Sequence, residues 1–232
     1  METTRSLMSL DGTWRLVLDP EDAGKRLHWE TGIPADGLDV EVPSVWDRWV
    51  PDYDGVGWYF REFDLDGAWA SHHTSLCFEA ADYFAEVWLN GTFLGEHEGG
   101  YTPFTFDAST SIRTGTNVLA VRVVDPHAPV GYSNFKPKQI PCSKEEGYFS
   151  FAGLWGSVSL LGRHPAHITV VFVQPDIRRK RITTTVTTSQ PGVVRLRIAG
   201  TPNAIEGAPG RLALDFPGHE LWSPDKPHLY TL

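Results

Sequence analysis

The alternation of apolar and polar residues predicts a chain built almost entirely of β-strands. The alternating pattern returns at short intervals, with turn residues between, and no stretch sustains helical spacing. In one of these runs Leu119, Val121 and Val123 share a face while Arg122 points the other way, which predicts a sandwich sheet that is dry on one side. The strands predicted in the first part of the chain are 14–18, 39–42, 58–65, 75–79, 84–89 and 118–124.

A hairpin is the clearest single element. Alternation from Ala85 to Leu89 runs into Asn90-Gly91, which supplies the positive φ angles of a two-residue turn. The pair Gly99-Gly100 then bends the returning strand, and Pro103 fits a strand start or edge, where no ladder donor is lost.

Two domains are predicted, residues 1–165 and 166–232. Length, strand count and long crossovers fit a jelly roll from about residue 5 to 164. After a seam at 163–166, alternation over 182–187 and 193–198 indicates half-buried antiparallel strands, and 201–210 is predicted to be a loop.

Composition narrows the class of partner. The 232 residues carry a formal net charge of −9, which argues against a nucleic-acid or anionic-membrane partner. The first residues contain no apolar core of signal-peptide length and no later run is long enough to span a bilayer, so we expect a cytoplasmic protein. Cys77 and Cys142 lack metal-like spacing and are interpreted as unlinked thiols.

Candidate catalytic and metal-binding groups are few. The acidic pair Glu96 and Glu98 is most simply a solvated hairpin return, and Glu145-Glu146 is likewise not interpreted as catalytic. His164 and His167 flank a proline without a third ligand nearby in sequence, which favours a plain connection over a metal pair. We therefore predict no catalytic residue, no metal and no cofactor.

Seven segments in a fixed order carry a family resemblance. They are 10–14, 42–46, 57–63, 85–106, 117–123, 152–155 and, near the end, 221–224 together with 227–230. Together they resemble the amino-terminal sugar-binding domain of the family 2 glycoside hydrolases, the group of β-galactosidases, β-glucuronidases and β-mannosidases. The resemblance implies an all-β fold, with a galactose-binding-like jelly roll followed by an immunoglobulin-like sandwich.

The second sandwich is expected to be incomplete and the catalytic barrel to be absent. An immunoglobulin-like sandwich takes about seven strands and roughly 100 residues, whereas 67 residues follow Pro165. In the family, the two carboxyl groups of retaining hydrolysis come from a barrel that no part of this sequence resembles. The resemblance thus implies a chain that is catalytically silent alone.

The connection from Asp125 to Phe151 is the first candidate sugar site, because so long a stretch without strand pattern is usually functional or disordered. Its tail resembles a family segment whose acidic residue lines the substrate pocket. That position falls on Gly147, and the usual arginine is replaced by Gly156. We take Glu146 and Tyr148 as candidate sugar contacts, with a surface carboxylate as the alternative for Glu146.

A second candidate site lies at an aromatic-rich turn. Aromatic residues cluster around the turn 52–55, and exposed aromatic rings stack on sugars. They are Trp46, Trp49, Tyr53, Trp58 and Tyr59. The alternative is that aromatic residues fill the core, as their strand positions suggest for Trp14, Trp88 and Trp155. We predict Trp49 and Tyr53 as weak carbohydrate contacts.

Three functional hypotheses follow. The first is a non-catalytic accessory region of a β-glycosidase resembling family 2. It would brace a catalytic barrel of the same or a companion chain, contribute to the rim of the substrate pocket and form subunit contacts in a homo-oligomer. The second is a free-standing carbohydrate-binding module. The third is a partner subunit of a separately encoded barrel.

Overall fold

The computed structural model describes residues 5–125 and 151–232, and it confirms the predicted all-β fold. Contacts divide the chain into two compact units, Met1–Arg163 and His164–Leu232. In the described part of the first unit, three short 3₁₀ turns accompany the strands, at Trp29–Thr31, Trp46–Arg48 and Gly67–Ser71.

Two antiparallel sheets form the first unit. A four-stranded sheet has the order β1-β10-β5-β8, and a six-stranded sheet has the order β3-β2-β4-β9-β6-β7. The strands are β1 (Arg5–Ser9), β2 (Gly12–Leu18), β3 (Leu38–Val42), β4 (Val56–Leu65), β5 (His73–Phe78), β6 (Phe84–Leu89), β7 (Thr92–Glu98), β8 (Phe104–Asp107), β9 (Gly115–Val124) and β10 (Val158–Arg163).

The main core of this unit takes its side chains from both sheets. Leu119, Val121 and Val123 of β9 are fully buried there, as their alternation predicts. They belong to one cluster with Leu76 of β5 and Leu160 of β10, both in the other sheet. The hydrophobic effect therefore holds the two sheets face to face.

The expectation of one dry side is wrong, because the opposite face of the six-stranded sheet is buried as well. Trp58 and Trp88 stack there with ring centroids 5.2 Å apart, in a second cluster against which Trp29 and Ile33 pack. Both of these residues belong to the connection between β2 and β3. Arg122, predicted to point away from the core, is only 3% exposed under this cover.

The second unit has five strands in two small sheets, with the orders β11-β12-β15 and β13-β14. Its core contains Val186, Leu196, Leu214 and Phe216. Part of the predicted loop 201–210 is a strand, β14, because Ile205 pairs with Leu196 and packs against this core. The strands are β11 (Ile168–Asp176), β12 (Arg181–Thr188), β13 (Val194–Arg197), β14 (Ala204–Gly207) and β15 (Gly210–Asp215).

Candidate functional site

The aromatic-rich turn meets the segment that follows residue 150. The backbone N–H of Ser44 donates to the carbonyl of Leu154 at 2.9 Å, and that of Trp46 donates to Ala152 at 2.8 Å. In return, the N–H of Ala152 donates to Oδ2 of Asp47 at 3.2 Å. The Trp49 and Tyr53 turn therefore lies beside the far end of the connection that the sequence singles out.

A third segment joins the same place. Asp82 and Gly153 exchange two backbone hydrogen bonds of 3.0 and 2.8 Å, and the indole N–H of Trp155 donates to the carbonyl of Gly100 at 2.8 Å. The carboxylate of Asp82 lies so close to Gly100 that a Cβ there would overlap it. We call residues 46–47, 82–83, 98–102 and 151–155 the loop junction.

Gly153 allows the segments of the loop junction to approach one another closely. Its φ of +116° suits glycine alone among common residues, and a Cβ there would overlap the hydroxyl of Tyr59 and lie 3.1 Å from the nitrogen of Trp46. Tyr59 is fully buried, and this burial raises the pKa of its hydroxyl. Packing against Tyr59 and Trp46 therefore restricts position 153 to glycine.

Three aromatic rings stand on the junction. Tyr101 meets Trp155 edge-on with centroids 5.6 Å apart, and Phe151 contacts Tyr101 and Trp155 in the same way at 6.2 and 5.7 Å. Trp155 and Phe151 are half-buried, whereas Tyr101 is 56% exposed. We call Tyr101, Phe151 and Trp155 the aromatic cluster.

Polar groups lie in the loop junction and next to it in sequence. The Tyr83 hydroxyl donates to Oε1 of Glu98 at 3.1 Å, and burial, followed by the Glu98 contact, raises the pKa of Tyr83 to about 12. The His97 ring stacks on Phe104 at 4.1 Å, with its Nε2 3.1 Å from the Thr102 hydroxyl. Burial lowers the pKa of His97, which favours the neutral ring.

Trp49 and Tyr53 both have packing partners within the protein. Trp49 is partly buried against the main core, with the guanidinium of Arg48 5.5 Å from its ring centroid. Tyr53 donates its hydroxyl to the carbonyl of Val56 at 2.8 Å, and its ring meets Trp46 at 5.7 Å. Their role as sugar contacts stays a prediction. Glu146 and Tyr148 lie outside the described residues.

The remaining candidates have local structural partners. Glu98 receives the Tyr83 hydroxyl, while Glu96 is exposed opposite Glu86. The Nδ1 of His164 accepts from the N–H of Ala166, and Nδ1 of His167 lies 2.9 Å from the His164 carbonyl, so both rings complete a turn. Within residues 5–125 and 151–232, no group of three or more His, Cys, Asp or Glu side chains could hold a metal ion.

Gly156, where the resemblance described above leads us to expect an arginine, has no room for a side chain. A Cβ there would overlap the backbone nitrogen of Ala80 and lie 2.9 Å from Glu79. The departure from the motif is thus matched by close packing of the segment after β5.

In the part of the chain that the structure covers, no helix has the length and apolar character needed to cross a membrane.

Sequence reasoning missed Asp82, Tyr101 and the position of Trp155. Trp155 was expected at a strand position, but it lies half-buried in the loop before β10. The bend at Gly99-Gly100 was a usable signal, since a glycine pair before an aromatic residue permits close approach of another segment. Which segment approaches depends on long-range pairing that alternation does not encode.

Two packed antiparallel sheets with their loops gathered at one place define a β-sandwich module with a candidate ligand-binding edge. A family model described as "Glycosyl hydrolases family 2, sugar binding domain" matches residues 7–165. The chain belongs to this family.

Relatives and solved structures agree with the family. A "Beta-glucuronidase" of Paenibacillus borealis is 26% identical over 99% of this chain and 42% of its own length. A "Beta-galactosidase large subunit" of Leuconostoc lactis is 28% identical over 76% of this chain and 29% of its own. The β-glucuronidase from Ruminococcus gnavus in complex with D-glucuronic acid superposes with a TM-score of 0.81 at 25% identity, covering 99% of this chain and 43% of that one. This chain spans at most about two fifths of the length of these relatives.

Proposed function

We propose that this chain is a non-catalytic accessory region of a family 2 β-glycosidase, which braces a catalytic barrel carried by the same or a companion chain. Family membership and the names of the relatives support hydrolysis of O-glycosidic bonds as the activity of the whole enzyme. The cytoplasmic location and a homo-oligomeric whole enzyme belong to the same proposal.

The observation that carries this proposal is the apolar surface of β11. Val171 pairs with Val186 and Val173 pairs with Thr184. Both partners on β12 are buried, so the two valines lie on the same inner face of the sheet. They are nevertheless 53% and 40% exposed. The core of the second unit therefore covers β12 and leaves the inner face of β11 in water.

The outer face of β11 is apolar as well. Val170 and Phe172 are 52% and 57% exposed, and the strand forms the edge of its sheet. Uncharged apolar edge strands pair readily with other chains, and exposed apolar patches mark interaction sites. Covering one such side chain contributes about 1.5 to 3 kcal/mol. A folded neighbour that covers several of them would therefore bind with a substantial gain in free energy.

A groove in the same unit adds to this surface. It has a volume of about 270 Å³ and is lined by Ile182, Phe216 and Tyr230 among others. Trp222 and Leu229 on its rim are 58% and 81% exposed. The occupant that we propose for these surfaces is the catalytic part of the enzyme, since this chain spans about two fifths of the relatives' length.

The proposal predicts that the chain alone does not hydrolyse aryl β-galactosides, β-glucuronides, β-glucosides or β-mannosides, because retaining hydrolysis needs two carboxyl groups about 5 Å apart. The measurement is release of the aryl group above the buffer background. Turnover that survives repurification, and that disappears on mutating a carboxylate of this chain, would overturn the proposal.

The coding DNA downstream distinguishes the forms of the proposal. An in-frame barrel sequence supports an accessory region of one long chain, and a stop codon followed by a separate barrel gene favours a partner subunit. In either case Val171→Lys should weaken packing on the barrel, measured as loss of activity of the long protein or of co-purification of the two chains. Ala213→Lys, at an exposed position of β15 on the far side of β12 from β11, is the matched control.

A free-standing carbohydrate-binding module is the second candidate function, and the exposed ring of Tyr101 favours it. It predicts micromolar affinity of the isolated chain for a sugar, whereas an accessory region binds more weakly than about 1 mM. Titration calorimetry against a panel of mono- and disaccharides separates the two.

A further inference from the structure

The aromatic cluster presents one ring in a fixed orientation. Tyr101 lies edge-on to both Phe151 and Trp155, and the indole of Trp155 is itself held by the Gly100 carbonyl. Gly100 in turn lies directly against the carboxylate of Asp82, which is 1% exposed. Because these contacts restrain the Tyr101 ring before any ligand arrives, binding on it costs little side-chain entropy.

The exposure of Tyr101 distinguishes it from Trp49 and Tyr53, the two rings that the sequence predicts as sugar contacts. More than half of it, 56%, is open to solvent, whereas Trp49 and Tyr53 are partly buried and pack against the main core. A tyrosine offers an apolar face and a polar tip. It therefore suits a ligand that is apolar on one face and hydroxylated at its edges, as a pyranose ring is.

Acidic residues occupy the loop junction that carries this ring. Glu98 and Asp82 lie in the loop junction beside Tyr83 and Gly100, and Asp47 binds the N–H of Ala152 next to Phe151. Carboxylates accept hydrogen bonds from hydroxyl groups, but they repel a carboxylate ligand. The surroundings of Tyr101 thus favour a neutral sugar over a uronate.

We propose that Tyr101, supported by Phe151 and Trp155, is a stacking subsite for a neutral pyranoside. The inference rests on the proposed function in taking the ligand to be a carbohydrate of the glycosidase's substrate class. It assigns to Tyr101 the sugar contact that the sequence assigns to Trp49 and Tyr53. The neutral sugar proposed for this chain differs from D-glucuronic acid, the ligand named for the Ruminococcus gnavus structure.

The test is an NMR titration of the isolated chain with methyl β-D-galactopyranoside and, separately, methyl β-D-glucuronide. The indole N–H signal of Trp155 is the reporter, because that group lies beside Tyr101. We expect the galactoside to shift it with a dissociation constant weaker than about 1 mM, and the glucuronide to bind at least about fivefold more weakly through like-charge repulsion. Tyr101→Ala should weaken galactoside binding about tenfold or more, the loss expected when stacking on an aromatic face is removed.

Tyr101→Phe keeps the ring and should retain binding, and Trp49→Ala is the control at the alternative site. Circular dichroism and thermal unfolding establish that each variant folds.

Galactoside binding that survives Tyr101→Ala, or that is lost with Trp49→Ala instead, overturns the subsite. A glucuronide that binds as tightly as the galactoside overturns its preference for neutral sugars. Failure of both sugars to shift the signal at about 100 mM, a hundredfold above a 1 mM constant, also overturns the subsite. That result leaves the accessory role standing, since the accessory role is judged by hydrolysis and by barrel packing.

Discussion

Arg122 of β9 and Glu86 of β6 are direct cross-strand partners in the six-stranded sheet, and their side chains form an ion pair of 2.6 Å. Asp22, from the connection that covers this face, contacts the same guanidinium at 2.6 Å. The side chains of Arg122, Asp22 and Glu86 are only 4%, 7% and 8% exposed. Arg122 therefore links the connection between β2 and β3 to the sheet through two ion pairs.

Arg122→Met should destabilise the first unit strongly. The substitution takes the guanidinium away from the buried carboxylates of Asp22 and Glu86, and breaking a buried ion pair costs about 3 to 5 kcal/mol. Urea unfolding followed by tryptophan fluorescence measures the loss. Lys25→Met is the control, because Lys25 pairs with Glu86 at 2.6 Å but is 52% exposed, and an exposed pair contributes about 1 kcal/mol or less. Equal losses for the two variants would contradict the assignment of Arg122 as the central cation.

The sequence predicts the inner face of β9 but not the outer one, and the reason is physical. Strand alternation reports which residues share a face, so Leu119, Val121 and Val123 were assigned to the core. It does not report what lies on the opposite face. The covering connection between β2 and β3 is irregular, and Trp29 and Ile33 show no period by which to recognise their packing.

The candidate site was predictable to a similar extent. The turn around Trp49 and Tyr53 and the end of the long connection were singled out separately, and the structure joins them through Trp46 and Ala152. The part played by Asp82 and Tyr101 was missed, because it depends on hydrogen bonds between segments far apart in sequence, whose partners a single sequence does not reveal.

Gly153→Ala should destabilise the loop junction. Alanine at φ +116° is strained, and its Cβ would overlap the Tyr59 hydroxyl, so we expect a loss of more than about 1 kcal/mol in the free energy of unfolding. Gly67→Ala is the matched control, since a Cβ at Gly67 meets nothing within 4 Å. A Gly153→Ala variant as stable as Gly67→Ala would show that the junction rearranges freely.

His97 should make the first unit less stable in mild acid. Burial, opposed by the Gly99 backbone contact and by Glu98, lowers the pKa of His97 below 6.5 in the folded state. The unfolded chain therefore binds a proton first as the pH falls below about 6.5, and stability drops through that window while remaining unaffected above it. Urea unfolding at pH 7.5 and 5.5 should show a smaller pH dependence for His97→Asn than for the natural chain. A His97 ring that titrates above pH 6.5 by NMR would contradict the sign.

Residues from about Ala166 onward should be the part of the isolated chain least protected from protease. The turn between β11 and β12 carries Arg178, Arg179 and Lys180, all exposed, and the neighbouring β11 is apolar on both faces and open to water. Side chains left uncovered each forgo about 1.5 to 3 kcal/mol of stabilisation, a large share of the stability of a small unit. Trypsin should therefore cut first in this turn, and intact-mass measurement should find a surviving fragment that is trimmed toward residue 165.

A variant with Arg178, Arg179 and Lys180 all changed to Gln separates exposure of the turn from opening of the whole unit. If the unit opens as a whole, trypsin still cleaves the variant, now at strand residues such as Arg195 and Arg211, whose backbone becomes accessible when β13 separates from β14 and β15 from β12. Packing of the catalytic barrel should protect those sites. If the variant instead resists trypsin as a monomer through Tyr230, the second unit is stable without a neighbour on β11, and the surface that supports the accessory role loses its energetic argument.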